Sequence, residues 1–500
     1  MGSWRGAIQW RQDPPPHRAP ASVRVRCAST VGRAASNDPG GSRDDTVAAR
    51  AGASRVAFAV DRLANGHADT TCGDMGLTER VQARLKGQVV GALGWSFVSD
   101  LVAKLAVLVV NLAAIAILPP DAFGRFVTLQ ASALLSVAVW DFGVSPLLTR
   151  QIAAGRLTVA DLFVEVLRLR AMTLVPALAV LAVGASTVWG TEGLSPIALG
   201  GATAYMVALG SQLFLQSTLR GQFRFRDAAK STTVGRLGMV GFLLVAMPIS
   251  PPGRGLELLM LSLAAGETLT ALMAFRQVRS FHDAAIRADE GHSITFRRSA
   301  PFATTSLIQV AYNKFDVVLI AAMSSGQVVG LYGPASRLQD MMLLIPSIAS
   351  VVLLPYSSRL FWQGENGATT TRALLARLVA ATVSVSAVAA AAITWLAPTW
   401  IPRIFGQAYS GSVGPVQVIV WSLPLIAFNV GLAAVISGRH KAHYVSVGIA
   451  SALVALVITD VLLVPAWGAT GAAIGATVRE VPLAVVLLAG ARASRLFGGT

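Results

Sequence analysis

Residues 91–118 read GALGWSFVSDLVAKLAVLVVNLAAIAIL, and only two of these side chains, Asp100 and Lys104, are charged. A run of about 18 or more apolar residues is long enough to cross the hydrocarbon of a bilayer. A helix is the element that can do so here, because it satisfies its own backbone N–H and C=O groups where there is no water. Working outward, similar apolar stretches recur at 126–148, 171–190, 196–219, 232–250, 257–276, 301–323, 328–355, 374–397, 415–437, 445–464 and 471–490. The expectation is therefore an all-α polytopic membrane protein with about twelve spans.

Composition agrees: 54% of the 500 residues are hydrophobic and 13% are charged, against roughly a quarter charged in soluble domains. The formal charge of +16 would suggest nucleic acid in a soluble chain. Its distribution gives another reason. Arg150, Arg156, Arg168 and Arg170, then Arg220, Arg224, Arg226, Lys230 and Arg236, then Arg276, Arg279, Arg287, Arg297 and Arg298, then Arg359, Arg372, Arg439, Lys441, Arg492 and Arg495, all fall in alternate connections. The opposite connections hold Arg125, Arg254 and Arg403. An imbalance of about twenty to three places both termini in the cytoplasm of an inner or plasma membrane, and no nucleic-acid partner is expected.

Residues 1–74 are rich in Arg, Ala, Gly, Asp and Pro without an apolar period, so they are expected to be disordered. The alternative is translation from Met75. Their Asp content argues against a transit peptide, and no signal-peptide core precedes a cleavage site. Residues 75–90, with Leu77, Val81 and Leu85 at helical spacing among Arg80, Arg84 and Lys86, predict an amphipathic helix on anionic lipid. The remaining organisation is a six-helix lobe over 91–276, a cytoplasmic linker over 277–300, a second lobe over 301–490 and a tail over 491–500.

The chemistry-bearing motifs of enzymes are missing from the sequence. The two cysteines, Cys27 and Cys72, precede the first span, and there is no G-x-x-x-x-G-K-[ST] loop, HExxH or Cys/His cluster. No cofactor, metal or catalytic residue is expected. The external connections are short, which argues against membrane glycosyltransferases, polymerases and ligases and leaves the bundle interior as the working surface.

Several motifs occur in a telling order. Ile117-Leu118-Pro119-Pro120-Asp121-Ala122-Phe123-Gly124-Arg125-Phe126 joins the first two spans, and Asp141-Phe142-Gly143 with Leu147 and Arg150 ends the second. Asn313 and Asp316 lie in span seven, Val329-Gly330-Leu331-Tyr332 with Ala335 and Arg337 open span eight, and Phe405-Gly406 and Trp467-Gly468-Ala469-Thr470-Gly471-Ala472 follow. Together these resemble the Wzx-type oligosaccharide flippases of the multidrug/oligosaccharidyl-lipid/polysaccharide exporter superfamily, with Pro119 standing where the family pattern has Gly. The resemblance covers about residues 85–490. It implies two six-helix lobes around a central cavity, alternating access, and a lipid-linked oligosaccharide as cargo. Membrane lipid and a polysaccharide polymerase or export complex are the partners it implies. The echo of Ala122–Phe126 in Val328–Tyr332 fits parallel repeats with a site between the lobes.

Charges inside spans are the site candidates, since one at the bilayer centre costs roughly 2.5–3.5 kcal/mol on insertion scales. Asp100 and Lys104 share a helix face, so a local ion pair and a cavity-lining role are both open. Lys314 and Asp316 are two apart and cannot neutralise each other; each needs another helix, water or cargo. Arg337 with Asp340 has the spacing of a local pair. Arg479 and Glu480 are adjacent and are expected to diverge to separate partners. Glu267, the lone acid of span six, is either a coupling group or an interhelical hydrogen-bonding group. Asp141 and Asp460 lie near span ends, within expected reach of water. The amides Asn111, Gln130, Gln212, Gln216 and Gln309 suit either sugar hydroxyls or helix contacts. The cavity set is thus Asp100, Lys104, Lys314, Asp316, Arg337 and Arg479, in a flippase, in a multidrug antiporter of the same superfamily, or in a scaffold for a polysaccharide-synthesis complex.

Overall fold

The computed structural model describes residues 75–153, 159–189, 195–251, 253–279, 295–343, 346, 364–437 and 443–493. The expected disordered segment 1–74, most of the 277–300 linker, most of span eight beyond Leu343 and the end of the tail lie outside these residues. The chain divides into two compact units, Met1–Leu85 and Lys86–Thr500. In the first, the helical turns from Met75 are described and include the predicted amphipathic segment.

All regular elements among the described residues are helices. The first lobe holds α1 (Met75–Ile117), α2 (Pro120–Asp141), α3 (Val144–Ala153), α4 (Val159–Trp189), α5 (Pro196–Gly221), α6 (Phe225–Ala246) and α7 (Gly255–Arg279). The second holds α8 (Phe296–Met323), α9 (Gly326–Met342), α10 (Gly364–Phe405), a 3-10 turn (Gln407–Ser412), α11 (Val413–Ile419), α12 (Ser422–Ser437), α13 (His443–Val478) and α14 (Glu480–Ala493). Within the first lobe α5 and α6 pack on α7, and α2 on α4; within the second, α13 packs on α8 and α14. The lobes meet where α2 lies against α8 and α9.

Local chemistry sets the helix ends. Pro120 occupies the first turn of α2, where its missing N–H costs nothing. Phe142 and Gly143 take positive φ (42° and 70°), reversing the chain. Asp141 then accepts the Ser145 backbone N–H at 3.1 Å and its hydroxyl at 2.5 Å, capping α3.

Eight helical stretches among the described residues are long and apolar enough to cross a membrane, or nine if Gln407–Ile419 and Ser422–Ser437, bent by 42°, form one span. That is fewer than the twelve expected, for visible reasons. The stretch His443–Ala493 counts once but doubles back at Gly468 (φ 52°, ψ −128°). A Cβ on Gly471 would meet the Leu463 carbonyl, on Gly475 Asp460, on Gly448 Leu483 and on Gly490 Tyr444. Such falling-against-rising pairs define an antiparallel hairpin of two spans. The count omits α6, which carries Arg226, Asp227, Lys230 and Arg236, and α9, whose continuation lies outside the described residues. A further correction concerns Pro398–Gly414, expected as a loop: α10 continues through Pro398 and Pro402 to Phe405. Membrane helices tolerate proline where neighbouring groups or water take the freed carbonyls.

The core joins both lobes through fully buried Phe123, Phe126, Ile320, Tyr332 and Tyr409. Large apolar side chains such as Val175, Val388 and Trp395 remain 73%, 71% and 81% exposed, which suits a lipid-facing belt and not a water-facing one.

Candidate functional site

The charged residues separate into three groups. The first lies at the junction of the lobes. Lys314 on α8 donates to Asp340 on α9 at 2.8 Å, and Arg337, one turn earlier, approaches the same oxygen at 3.6 Å. Arg337 also donates to the amide oxygen of Gln130 on α2, which links the second lobe to the first. Lys104 on α1 is partly buried and makes no ion pair with a described residue. Two cations, from α8 and α9, thus share one carboxylate, and Gln130 of the other lobe holds one of them. The Asp340 side chain is 38% exposed, whereas Lys314 and Arg337 are 16% and 11%. The carboxylate is thus the most exposed group of the three, although the cluster lies between packed lobes.

Asp100 does not close onto Lys104. It is exposed and lines a cavity of about 200 Å³ with Ser99, Arg220, Phe225 and Thr232 inside the first lobe.

The second group is a closed network within the second lobe. Arg479 is 4% exposed, donates to the Tyr312 carbonyl at 2.7 Å and stacks over the Tyr312 ring at 4.5 Å. Contrary to the expected divergence, it also contacts Glu480 at 3.4 Å. Helical hydrogen bonding continues to Arg479, whose N–H bonds the Gly475 carbonyl at 3.0 Å, so the contact reflects the reach of the two side chains. Glu480 accepts from the Tyr312 hydroxyl and from Asn429 at 2.9 Å. Asp316, 2% exposed, accepts from Tyr332 at 2.6 Å, while its Oδ1 has no hydrogen-bond partner among the described residues. Asp460 is fully buried with both oxygens in that condition, which overturns its expected access to water. The hairpin at Gly468 folds the second arm over it: a Cβ on Gly475 would fall 2.0 Å from its Oδ1. No group of three or more His, Cys, Asp or Glu able to hold a metal occurs among the described residues.

The third group lies in the first lobe. Glu267, 1% exposed, pairs with Arg236 of α6. Asp141 is buried, not at water, and pairs with Arg170 at 3.1 Å, whose guanidinium also packs on Trp140 and Phe214. Arg170 and Arg236 read as loop residues by charge alone, but α4 and α6 extend past their most apolar windows and enclose both.

Two seams close the lobes on each other. At one end a Cβ on Gly330 would fall 1.7 Å from the Pro120 carbonyl oxygen, one on Gly124 would fall 1.9 Å from that of Gly326, and Tyr409 donates to the Leu118 carbonyl at 2.8 Å. At the other, Phe142 stacks on Phe296 at 4.3 Å and Gly143 abuts Phe302 and Ala303.

Sequence reasoning passed over Tyr312, Tyr332, Asn429 and Arg236 as members of these groups, while Gln130, one of the amides suited to sugar hydroxyls or helix contacts, meets Arg337 on another helix. Only Tyr332, inside the Val329–Tyr332 motif, carried a signal; the others meet partners on distant helices.

Two packed lobes of long apolar helices with a charged junction describe a multi-pass membrane protein. Its fold is similar to that of the lipid II flippase MurJ in an inward closed conformation, at 12% identity and TM-score 0.62, over 79% of this chain and 87% of that one. It is also similar to an inward-facing multidrug resistance MATE family transporter of the MOP superfamily (17%, 0.59, 79% and 95%). A MOP superfamily transporter from Pyrococcus furiosus, described as having reversed polarity of its binding pocket, matches at 14% and 0.53 over 82% and 96%. At such identities the likeness is one of fold. A family model described as polysaccharide biosynthesis protein matches residues 90–361, more than half the chain, and the chain belongs to that family. No curated protein matches it.

Proposed function

We propose that this protein is a flippase that moves a polyprenyl-pyrophosphate-linked oligosaccharide across the inner membrane by alternating access, for surface polysaccharide synthesis. The observation that supports the reading is the convergence of Lys314 and Arg337 on the partly exposed Asp340 at the junction between lobes, which is wet in this reading. Phosphates entering low dielectric need fixed cations, because Coulomb terms grow as water is removed. Cationic drugs would instead need uncompensated acids there, and Asp340 is already held by Lys314 and Arg337.

The basic connections orient both termini to the cytoplasm. The Pro120–Gly330 seam is then the external gate and the Phe142–Phe296 seam the cytoplasmic one. Arg479, locked by Tyr312 and Glu480, positions α13 and α14 and stays out of contact with cargo. For coupling, Asp316 and Asp460 are stronger candidates than Glu267, whose charge Arg236 already balances. The work is translocation, with no covalent step.

The test is flipping of a fluorescent prenyl-diphosphate saccharide in proteoliposomes. Lys314→Ala should cut the rate at least about tenfold, the loss of one partly desolvated charge contact, with normal insertion. A wild-type rate would remove Lys314 from the site, and export of cationic drugs without saccharide flipping would favour the antiporter.

A further inference from the structure

We infer that Asp340 is a built-in stand-in for the cargo's phosphate, which occupies the cation cluster while the cleft is empty and is displaced when a diphosphate enters; this rests on the flippase reading. Three observations support it. Lys314 from α8 and Arg337 from α9 both engage one Asp340 oxygen, and Arg337 also reaches Gln130 of the other lobe. Two cations facing one carboxylate leave surplus positive charge, more than a structural ion pair requires. The carboxylate is also the most exposed member, at 38% against 16% and 11% for its partners. An incoming anion would therefore meet Asp340 first, at the position where the cations already point.

The cost of an empty cleft explains the arrangement. Unpaired cations held between apolar helices are unfavourable, and an internal carboxylate relieves that penalty reversibly. It also limits affinity for the diphosphate, so that cargo can leave on the far side. Asp340 thus trades binding strength against release, and no bond is made or broken.

Asp340→Asn keeps the shape and removes the charge. In the purified full-length protein it should bind a soluble short-chain prenyl diphosphate at least about tenfold more tightly than wild type, as expected for removing one competing charge in a partly wet cleft. Flipping in proteoliposomes should slow, because release becomes limiting. Asp340→Glu should restore both values. If Asp340→Asn does not survive extraction, Lys314→Gln/Asp340→Asn compared with Lys314→Gln alone carries the same expectation. Equal or weaker diphosphate binding in the Asn variant, with measurable wild-type binding, overturns the Asp340 assignment and leaves the flippase reading intact. No preference for prenyl diphosphate over prenyl alcohol in either protein overturns both.

Discussion

Gly330→Ala probes the seam that holds the lobes together at the Pro120 end. The added Cβ would stand 1.7 Å from the Pro120 carbonyl oxygen and 2.5 Å from its carbon. Carbon contacts relax only near 3.5 Å, so the α2 and α9 backbones must part by roughly 1.5–2 Å. Neither partner is a flexible side-chain end that could swing away. Overpacking of this kind costs about 1–3 kcal/mol, which shifts a two-state equilibrium by roughly 5- to 150-fold against the sealed form. The native cysteines are Cys27 and Cys72, so after their replacement spin labels can be placed at the exposed Ala116 and Gln327 on opposite lobes. Electron-electron distance measurements should show a longer population in Gly330→Ala. Gly241→Ala, with nothing within 4 Å of the new carbon, should leave the distribution unchanged. Identical distributions in Gly330→Ala and wild type would refute the claim that backbone contact defines the sealed state.

Two further outcomes follow from the buried charges. Arg170→Ala strands Asp141 and empties the space between Trp140 and Phe214; it should lower stability by about 3–5 kcal/mol, seen as a large fall in the detergent melting temperature, and a melting curve like wild type would contradict the pairing. Asp460→Asn removes a buried carboxylate whose oxygens have no partner among the described residues, so it should be at least as stable as wild type while gradient-driven transport collapses; undiminished transport would exclude Asp460 from coupling.

Much of the fold was legible because apolar run length answers directly to bilayer thickness. The hairpin at Gly468 and the Asp141-Phe142-Gly143 turn were marked by residues suited to reversal. Helix limits were less legible: hydropathy stops where polarity begins, yet α4 and α6 continue around Arg170 and Arg236 because each finds an acid on a neighbouring helix. Spacing alone showed that Lys314 and Asp316 could not satisfy each other. It could not show that Lys314 would meet Asp340 and Asp316 would meet Tyr332, since those partners depend on how α8 rests on α9. The link between Gln130 and Arg337 depends on lobe packing, which no local pattern encodes. The contact of Arg479 with Glu480 depends on side-chain reach, which residue spacing does not encode.

Water access at the lobe junction is tested most directly by chemical labelling. With Cys27 and Cys72 replaced and Lys314 changed to Cys, a membrane-impermeant charged thiosulfonate should modify the thiol from solution, and a soluble prenyl diphosphate should slow the reaction. A thiol at 314 that ignores the charged reagent and reacts only with a lipid-soluble one would contradict a hydrated, cation-lined cleft between the lobes.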